Sequence, residues 1–445
     1  MRHLVASEIR TIHLCCVKEH RPRTTRKVQS TVHYYLGTAR RTAVRLTDAK
    51  NLLRVEHTDP SEELVTAHTG LRGLLALYIM LFHAMAYSAG WNLHGSALMP
   101  VFFLLAGYSL AIVYGKQRHR FDIGQYYRNR FARIAPVYYV AMLIALPLAV
   151  VGHGWVSPSD IGWVLATNLF AVQMWTSFPP LSFAGPAWTI STLAFFYLVF
   201  PWLLRWHQNQ TDRSLSRWIT ILAVVQAVLF FGLGLAIEPL DRWWAFWASH
   251  AWPLSRLPVF DMGLVAGLLI LRQARPDRDT AVSVMGVSAD QKDRWARRVD
   301  RYAGTFVVFV IGLSALQILW DIDLLGSWWM QGVFPYMLIG IIFGLSVTSR
   351  GTHPYTQRLL SGPACLFLGR ISLPLYLVHE PIIQYVVWAA RPDQTWSSNM
   401  PMPLWGIAIV LPVSLILATL LERTIETPAR NFIRARPRGF ELHQT

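Results

Sequence analysis

Arg72-Gly-Leu-Leu-Ala-Leu-Tyr-Ile-Met-Leu-Phe-His83 begins an apolar run over 72–90 that contains no acid and no proline. A helix of that length rises about 28 Å at 1.5 Å per residue, close to the thickness of the bilayer hydrocarbon. The run reads as a membrane-crossing helix. The same reading repeats near 97–115, 134–152, 161–176, 187–205, 218–237, 252–271, 304–320, 328–348, 365–390 and 403–421. Composition agrees, because 445 residues that are 53% hydrophobic and only 15% charged are too apolar for a soluble globular chain. The excess apolar residues must face lipid, so the lipid bilayer is the first partner implied.

The net charge of +16 does not point to nucleic acid, because the Lys and Arg residues sit in the tail and in particular loops, without an RNA- or DNA-binding motif. They serve better as an orientation signal, since basic loops are retained in the cytoplasm. If all the runs crossed from a cytoplasmic N-terminal tail, the loop from Arg272 to Arg301, with eight Lys or Arg residues, would lie outside. If 161–176 instead dips in and returns, the outside loops hold only Arg242 and Arg391. That run is short and is followed by Ser177-Phe-Pro179-Pro180, which ends a helix. The expected fold is therefore all-α: a polytopic transmembrane bundle of ten spanning helices, with 161–176 re-entrant and both termini cytoplasmic. Residues 1–66 form a basic cytoplasmic tail, 67–432 the transmembrane domain and 433–445 a C-terminal cytoplasmic tail. Cys15, Cys16 and Cys365 make no disulfide framework, and no cleaved signal peptide precedes the first run.

Ionisable groups inside spans are costly and mark function unless a structural partner explains them. His83 lies eleven residues beyond Arg72, roughly 16 Å deeper, and on nearly the same helical face. A neutral imidazole at mid-bilayer takes a proton from a hydroxyl, as a general base must. Arg130 and Arg133, three residues apart at the end of the third span, suit diphosphate and phosphate groups. The alternative is a pair of anchoring side chains that snorkel to the headgroups. Tyr376 and His379 form one polar face in the ninth span, either an acceptor site or a packing hydrogen bond. Arg256 and Asp261, five residues apart and so not on one face, each read as a structural partner, with an orienting acid as the second reading of Asp261, and Glu422, Glu426 and Arg430 read as salt bridges closing the last helix. The intramembrane histidines lack Cys, Asp or Glu at metal-ligand spacing, so no metal is expected.

Arg72 to His83 resembles the R-X10-H motif of the acyltransferase-3 family of integral membrane acyltransferases, and Arg130-Phe-Ala-Arg133 resembles its RXXR motif. Phe102-Phe-Leu-Leu-Ala-Gly107, Pro186-Ala-Trp188-Thr-Ile-Ser191, Gly369-Arg-Ile-Ser372-Leu-Pro-Leu-Tyr376-Leu-Val-His379 and Glu426-Thr-Pro428 are similar to further family segments, in family order. The resemblance implies a ten-span bundle that transfers an acyl group, usually acetyl, from cytosolic acyl-CoA to a hydroxyl of a sugar, glycan, lipid or small molecule. It assigns His83 and Arg72 to the reaction centre, with Arg72 stabilising the oxyanion or fixing the donor. It gives Arg130 and Arg133 to the acyl-CoA donor, and Trp188, Ser191, Tyr376 and His379 to a hydroxyl-bearing acceptor. No bound cofactor is implied beyond acetyl-CoA or another acyl-CoA as donor substrate.

Two departures stand out. Where the family has a Glu after the W-S-x-S segment this chain has Leu193, so a carboxylate that would orient His83 is missing from its expected place, and Ala106 replaces a Ser. A transporter, with His83 on a proton or substrate path, and a catalytically degenerate family member are the rival readings.

Overall fold

A computed structural model describes residues 60–91, 93, 95–117, 121–151, 161–176, 185–237, 242–273, 289–320, 340–342, 344–345, 354–390 and 401–434. The expected N-terminal tail up to 59, most of the 328–348 run and the end of the C-terminal tail lie outside these residues.

The described residues form helices and no strand: α1 Pro60–Ala89, α2 Met99–Tyr114, α3 Ile123–Val151, α4 Ile161–Leu169, α5 Trp188–Gln208, α6 Asp212–Ile237, α7 Pro253–Gln273, α8 Ala289–Trp320, α9 Pro363–Ala389, α10 Ile407–Leu421 and α11 Thr427–Arg434. In hydrocarbon every backbone N–H and C=O must be satisfied within the protein, and a helix does this along its own length. Eight described helical segments are long and apolar enough to cross a membrane. α2 is shorter, with 16 residues, but is buried along most of its length, so its length is matched to protein and not to lipid.

The bundle has a small-residue centre and an apolar rim. α2 lies along α7, where Gly107 meets the backbone of Phe260 and Gly263 meets that of Leu104. α1 lies along α9, where Gly73 and Gly369 allow the same close approach. A side chain at any of these positions would drive the helices apart, and close backbone contact is what holds helices together where no water drives them. The rim is lipid-facing. On α10, Ile409, Val413, Ile416 and Leu420 form an exposed apolar stripe at helical spacing.

α3 secures two irregular neighbours through paired tyrosines. Pro201 inside α5 has no N–H to give the Tyr197 carbonyl one turn back, and the Tyr126 hydroxyl donates to that carbonyl at 3.0 Å. Tyr127 donates to the next carbonyl, Leu198, at 2.8 Å. Farther along, Tyr138 and Tyr139 donate to Asn168 and Leu169 at 2.6 and 2.9 Å, satisfying carbonyls at the end of α4.

α4 has nine residues, about 14 Å by helical rise, less than half the hydrocarbon thickness. It then turns through Ala171, at φ 53°, into a 3₁₀ turn over Gln173–Trp175. The run 161–176 therefore does not form a crossing helix. α1 starts at Pro60, within the stretch expected as tail, and proline is suited to a first helical turn.

Candidate active site

Arg72 and His83 both project from α1, and α9 supplies what each of them meets. A cleft of about 100 Å³ at the Arg72 end is lined by Arg72, Arg133, Tyr197, Thr189, Ser372 and Tyr376, with Met99, Phe102, Phe103, Ala106, Ile134, Ile190, Leu193 and Leu373 as its apolar walls. The Arg72 Nε is buried there without a hydrogen-bond partner. Arg133 is paired with Glu426, which is wholly buried in the π-helical turn Glu422–Glu426, and Arg430 reaches the same carboxylate at 3.6 Å. One described acid therefore serves two cations, and Arg72 adds a third positive charge nearby. The expected salt bridge of Glu426 with Arg430 exists, but its main partner is a residue on α3.

Arg130 does not share the cleft with Arg133. Its guanidinium carbon lies over the rings of Tyr114, Tyr126 and Tyr197, at 5.7, 6.0 and 5.8 Å. Three residues along a helix turn about 300°, and that difference separates an aromatic cage from a cleft wall. The two arginines are neighbours on different walls, and the Arg130 Nε, like that of Arg72, is buried without a hydrogen-bond partner.

At the other end, His379 Nε2 lies 3.0 Å from His83 Nδ1, and the rings stack at 29° with centroids 5.0 Å apart. The tautomers follow from the partners. His379 Nδ1 is 3.2 Å from the Leu375 carbonyl, which only accepts, so Nδ1 carries the proton. With His379 neutral, its Nε2 is an acceptor and His83 Nδ1–H donates to it. A neutral His83 then has its lone pair on Nε2. The orienting partner of such a base is a carboxylate or a backbone carbonyl, and here the ring meets a second histidine as well as the Ile79 carbonyl one turn back in α1.

The cleft and the histidine pair are distinct along α1. His83 is not among the residues that line this cleft. Tyr376 joins the two: it lines the cleft, and its ring is 5.9 Å from that of His379 and 6.1 Å from that of Phe102. Leu193 lines the cleft beside Arg72 and Arg133, so an acid at that position would face arginines.

Two expected acceptor residues sit elsewhere. Ser191 is fully buried and accepts the Met174 N–H at 3.2 Å, tying the turn after α4 to α5. Trp188 packs edge-on to Phe103 and against the His250 ring. Neither lines the cleft. Arg256 and Asp261 have the structural partners expected of them. Arg256 Nε donates to the His250 carbonyl at 2.7 Å, and Asp261 takes His207 Nε2 at 2.9 Å.

Sequence reasoning passed over Glu380, although a lone acid in the 365–390 run is itself a signal. It is buried beside His379 and accepts Gln384 Nε2 at 3.0 Å and the Gly185 N–H at 3.3 Å.

A family model described as an acyltransferase domain matches residues 67–423. Peptidoglycan O-acetyltransferase OatA of Listeria monocytogenes is 22% identical over 409 residues, covering 83% of this chain and 56% of the relative. Acyltransferase MdmB of Streptomyces mycarofaciens is 29% identical over 193 residues, covering 40% of this chain and 47% of its own. O-acetyltransferase OatA of Staphylococcus aureus is 20% identical over 414 residues, covering 86% of this chain and 60% of its own. The chain thus spans less than two thirds of the length of each of these relatives. No solved structure matches it.

Proposed function

Because this chain belongs to the acyltransferase-domain family and is an integral, multi-pass membrane protein, we propose that it moves an acyl group, acetyl by preference, from acyl-CoA to an acceptor hydroxyl. The observation that carries the reading is the His379–His83 hydrogen bond, which leaves His83 Nε2 as a positioned base deep in the bundle. The relatives named peptidoglycan O-acetyltransferase make a glycan hydroxyl the first acceptor to test, ahead of a lipid or small molecule.

In this mechanism His83 Nε2 takes the proton of the acceptor hydroxyl as its oxygen attacks the thioester carbonyl carbon. The tetrahedral intermediate collapses with loss of the CoA thiolate, which takes the proton back from the imidazolium. Arg72 sits too far along α1 to touch the same carbonyl, since eleven residues rise roughly 16 Å. Its work is therefore on the donor: Arg72 and Arg133 hold the anionic part of CoA at the cleft, and the long pantetheine arm passes Tyr376 toward the histidines. Arg130, in its tyrosine cage, keeps α3 positioned and adds to the positive field without direct pairing. Trp188 and Ser191 support the walls, and His379 is a positioning residue.

The membrane arrangement we propose has ten spans: the eight long helices, α2, and the run 328–348. Both termini and the basic 272–302 loop are cytoplasmic, which brings the Arg72 end to the acyl-CoA pool. The transferase domain is 67–432, flanked by the tails 1–66 and 433–445. Labelling of single cysteines placed at Ser283 and Ser397 should report opposite sides, and same-side labelling would remove the ten-span arrangement.

The function is tested by reconstituting the full chain in nanodiscs with radiolabelled acetyl-CoA and following label into acceptors. Acetyl-CoA binding without transfer or hydrolysis, across glycan, lipid and simple alcohol acceptors, would overturn the enzymatic reading.

A further inference from the structure

Tyr87 follows His83 by one helical turn on the same face of α1, about 6 Å along the axis. Across the seam, Glu380 follows His379 in α9 and Gln384 lies one turn farther on. The Glu380 carboxyl gathers groups from three elements. It accepts Gln384 Nε2 within α9 and the Gly185 N–H from the 3₁₀ turn that leads into α5, and the Tyr87 hydroxyl of α1 is a close neighbour of both Glu380 and Gln384. A methyl group at the Gly185 α-carbon would stand 3.7 Å from the Glu380 carboxyl carbon, in ordinary van der Waals contact, so the backbone here lies directly against the carboxyl.

The cluster has more acceptors than donors. A carboxylate accepts about four hydrogen bonds, and Glu380 receives two, from Gln384 Nε2 and the Gly185 N–H. The Gln384 Oε1 is buried with no hydrogen-bond partner. A buried acceptor left unfilled costs free energy, so the cluster favours a ligand that brings O–H donors, and the carboxylate disfavours an anionic one. A brace for the turn before α5 would need only the Gly185 contact and gives no reason for the spare Gln384 oxygen.

On the premise that the chain is the O-acyltransferase argued above, we propose that Glu380, Gln384 and Tyr87 form an acceptor subsite. It holds a second hydroxyl of a neutral polyhydroxy acceptor, such as a glycosyl unit, while His83 deprotonates the first. The subsite fixes which hydroxyl meets His83 Nε2, so its contribution appears in the acceptor KM and in acceptor choice.

The test uses the full chain in nanodiscs with radiolabelled acetyl-CoA and two acceptors of equal chain length, hexyl β-D-glucoside and 1-hexanol. The wild type should favour the glucoside by at least about 10-fold in kcat/KM, because a site built to hydrogen-bond hydroxyls discriminates against ligands lacking them. Glu380→Gln should raise the glucoside KM about 10-fold while leaving hexanol turnover and the acetyl-CoA KM unchanged, so that the preference collapses. Tyr87→Phe, a milder change that keeps the ring in place, should raise the glucoside KM about 3-fold at unchanged thermal stability. Equal transfer to both alcohols by the wild type overturns the subsite while the transferase reading stands. The same holds if Glu380→Gln keeps the preference, or if both variants lose hexanol and glucoside transfer in proportion. A wild type that neither acetylates an alcohol nor hydrolyses acetyl-CoA overturns the transferase reading, and the subsite with it.

Discussion

At one end of the seam between α1 and α9, Arg133, Glu426 and Arg430 meet as ions, with Arg72 unpaired at its Nε close by. At the other end, His83 and His379 meet through a hydrogen bond between imidazoles that needs no charge. The first arrangement is incomplete by itself, because two cations share one buried carboxylate beside a third. An anion completes it. The second is complete as a pair and leaves a single basic nitrogen over, which makes it suited to proton transfer. Binding charge is thus gathered where the charged part of a ligand would stay, and the basic nitrogen at the reacting end is held by a partner that carries no charge.

The sharpest way to break this division is His83→Ala, which should lower acetyl transfer by about 10³-fold while leaving the acetyl-CoA Kd unchanged, as expected for a general base. A comparable loss of CoA affinity, by calorimetry on folded protein, would merge the two ends into one binding site. His379→Ala should lower kcat by about 10²-fold with KM for acetyl-CoA preserved, because the His83 tautomer is no longer enforced. His379→Gln should recover part of that loss, since its side-chain oxygen still accepts from His83 Nδ1. Equal activity of the Ala and Gln variants would reduce His379 to packing.

At the ionic end, Arg72→Ala should raise the acetyl-CoA Kd about 10-fold and leave the rate at saturating donor close to wild type. Leu193→Glu should be tolerated, because the new carboxylate meets Arg72 and Arg133 in the cleft. Its expected effect is smaller, an acetyl-CoA KM raised about 3-fold by competition for those cations. A shift in the pH profile of transfer without any change in donor KM would place position 193 against His83 instead.

The sequence revealed the membrane class plainly, since apolar runs of spanning length need no tertiary information to be recognised. It also showed that 161–176 stands apart: basic loops and Pro179-Pro180 pointed to a segment that turns back, and α4 ends after nine residues. Helical phase put Arg72 and His83 on one face, and that much holds. Phase along one helix does not say what the facing helix brings to each residue, so the position of Tyr376 between the cleft lining and the His379 ring was not legible. His379 was legible as a polar residue in a span but not as the partner of His83, which lies 296 positions away in the chain. Arg133 and Glu426 were each noticed, one as a phosphate ligand and the other as a helix-end charge. Pairing between distant helices leaves no trace in local spacing. Glu380 is different, because its signal was present and the adjacent histidine drew the attention.

The paired tyrosines of α3 have a consequence for timing. α3 carries Arg133 on one wall of the cleft, and α5 carries Thr189, Leu193 and Tyr197 on the facing wall. Near that cleft, Tyr126 and Tyr127 tie α3 to two consecutive α5 carbonyls beside the Pro201 break. Tyr126 is fully buried, and without its hydroxyl the Tyr197 carbonyl has no donor one turn on, because Pro201 supplies none. A buried acceptor left unfilled costs about 1–3 kcal/mol, so the two walls are held at one spacing before a donor arrives. Tyr126→Phe should therefore lower thermal stability and slow donor binding, read by comparing pre-steady-state donor binding in the variant and the wild type.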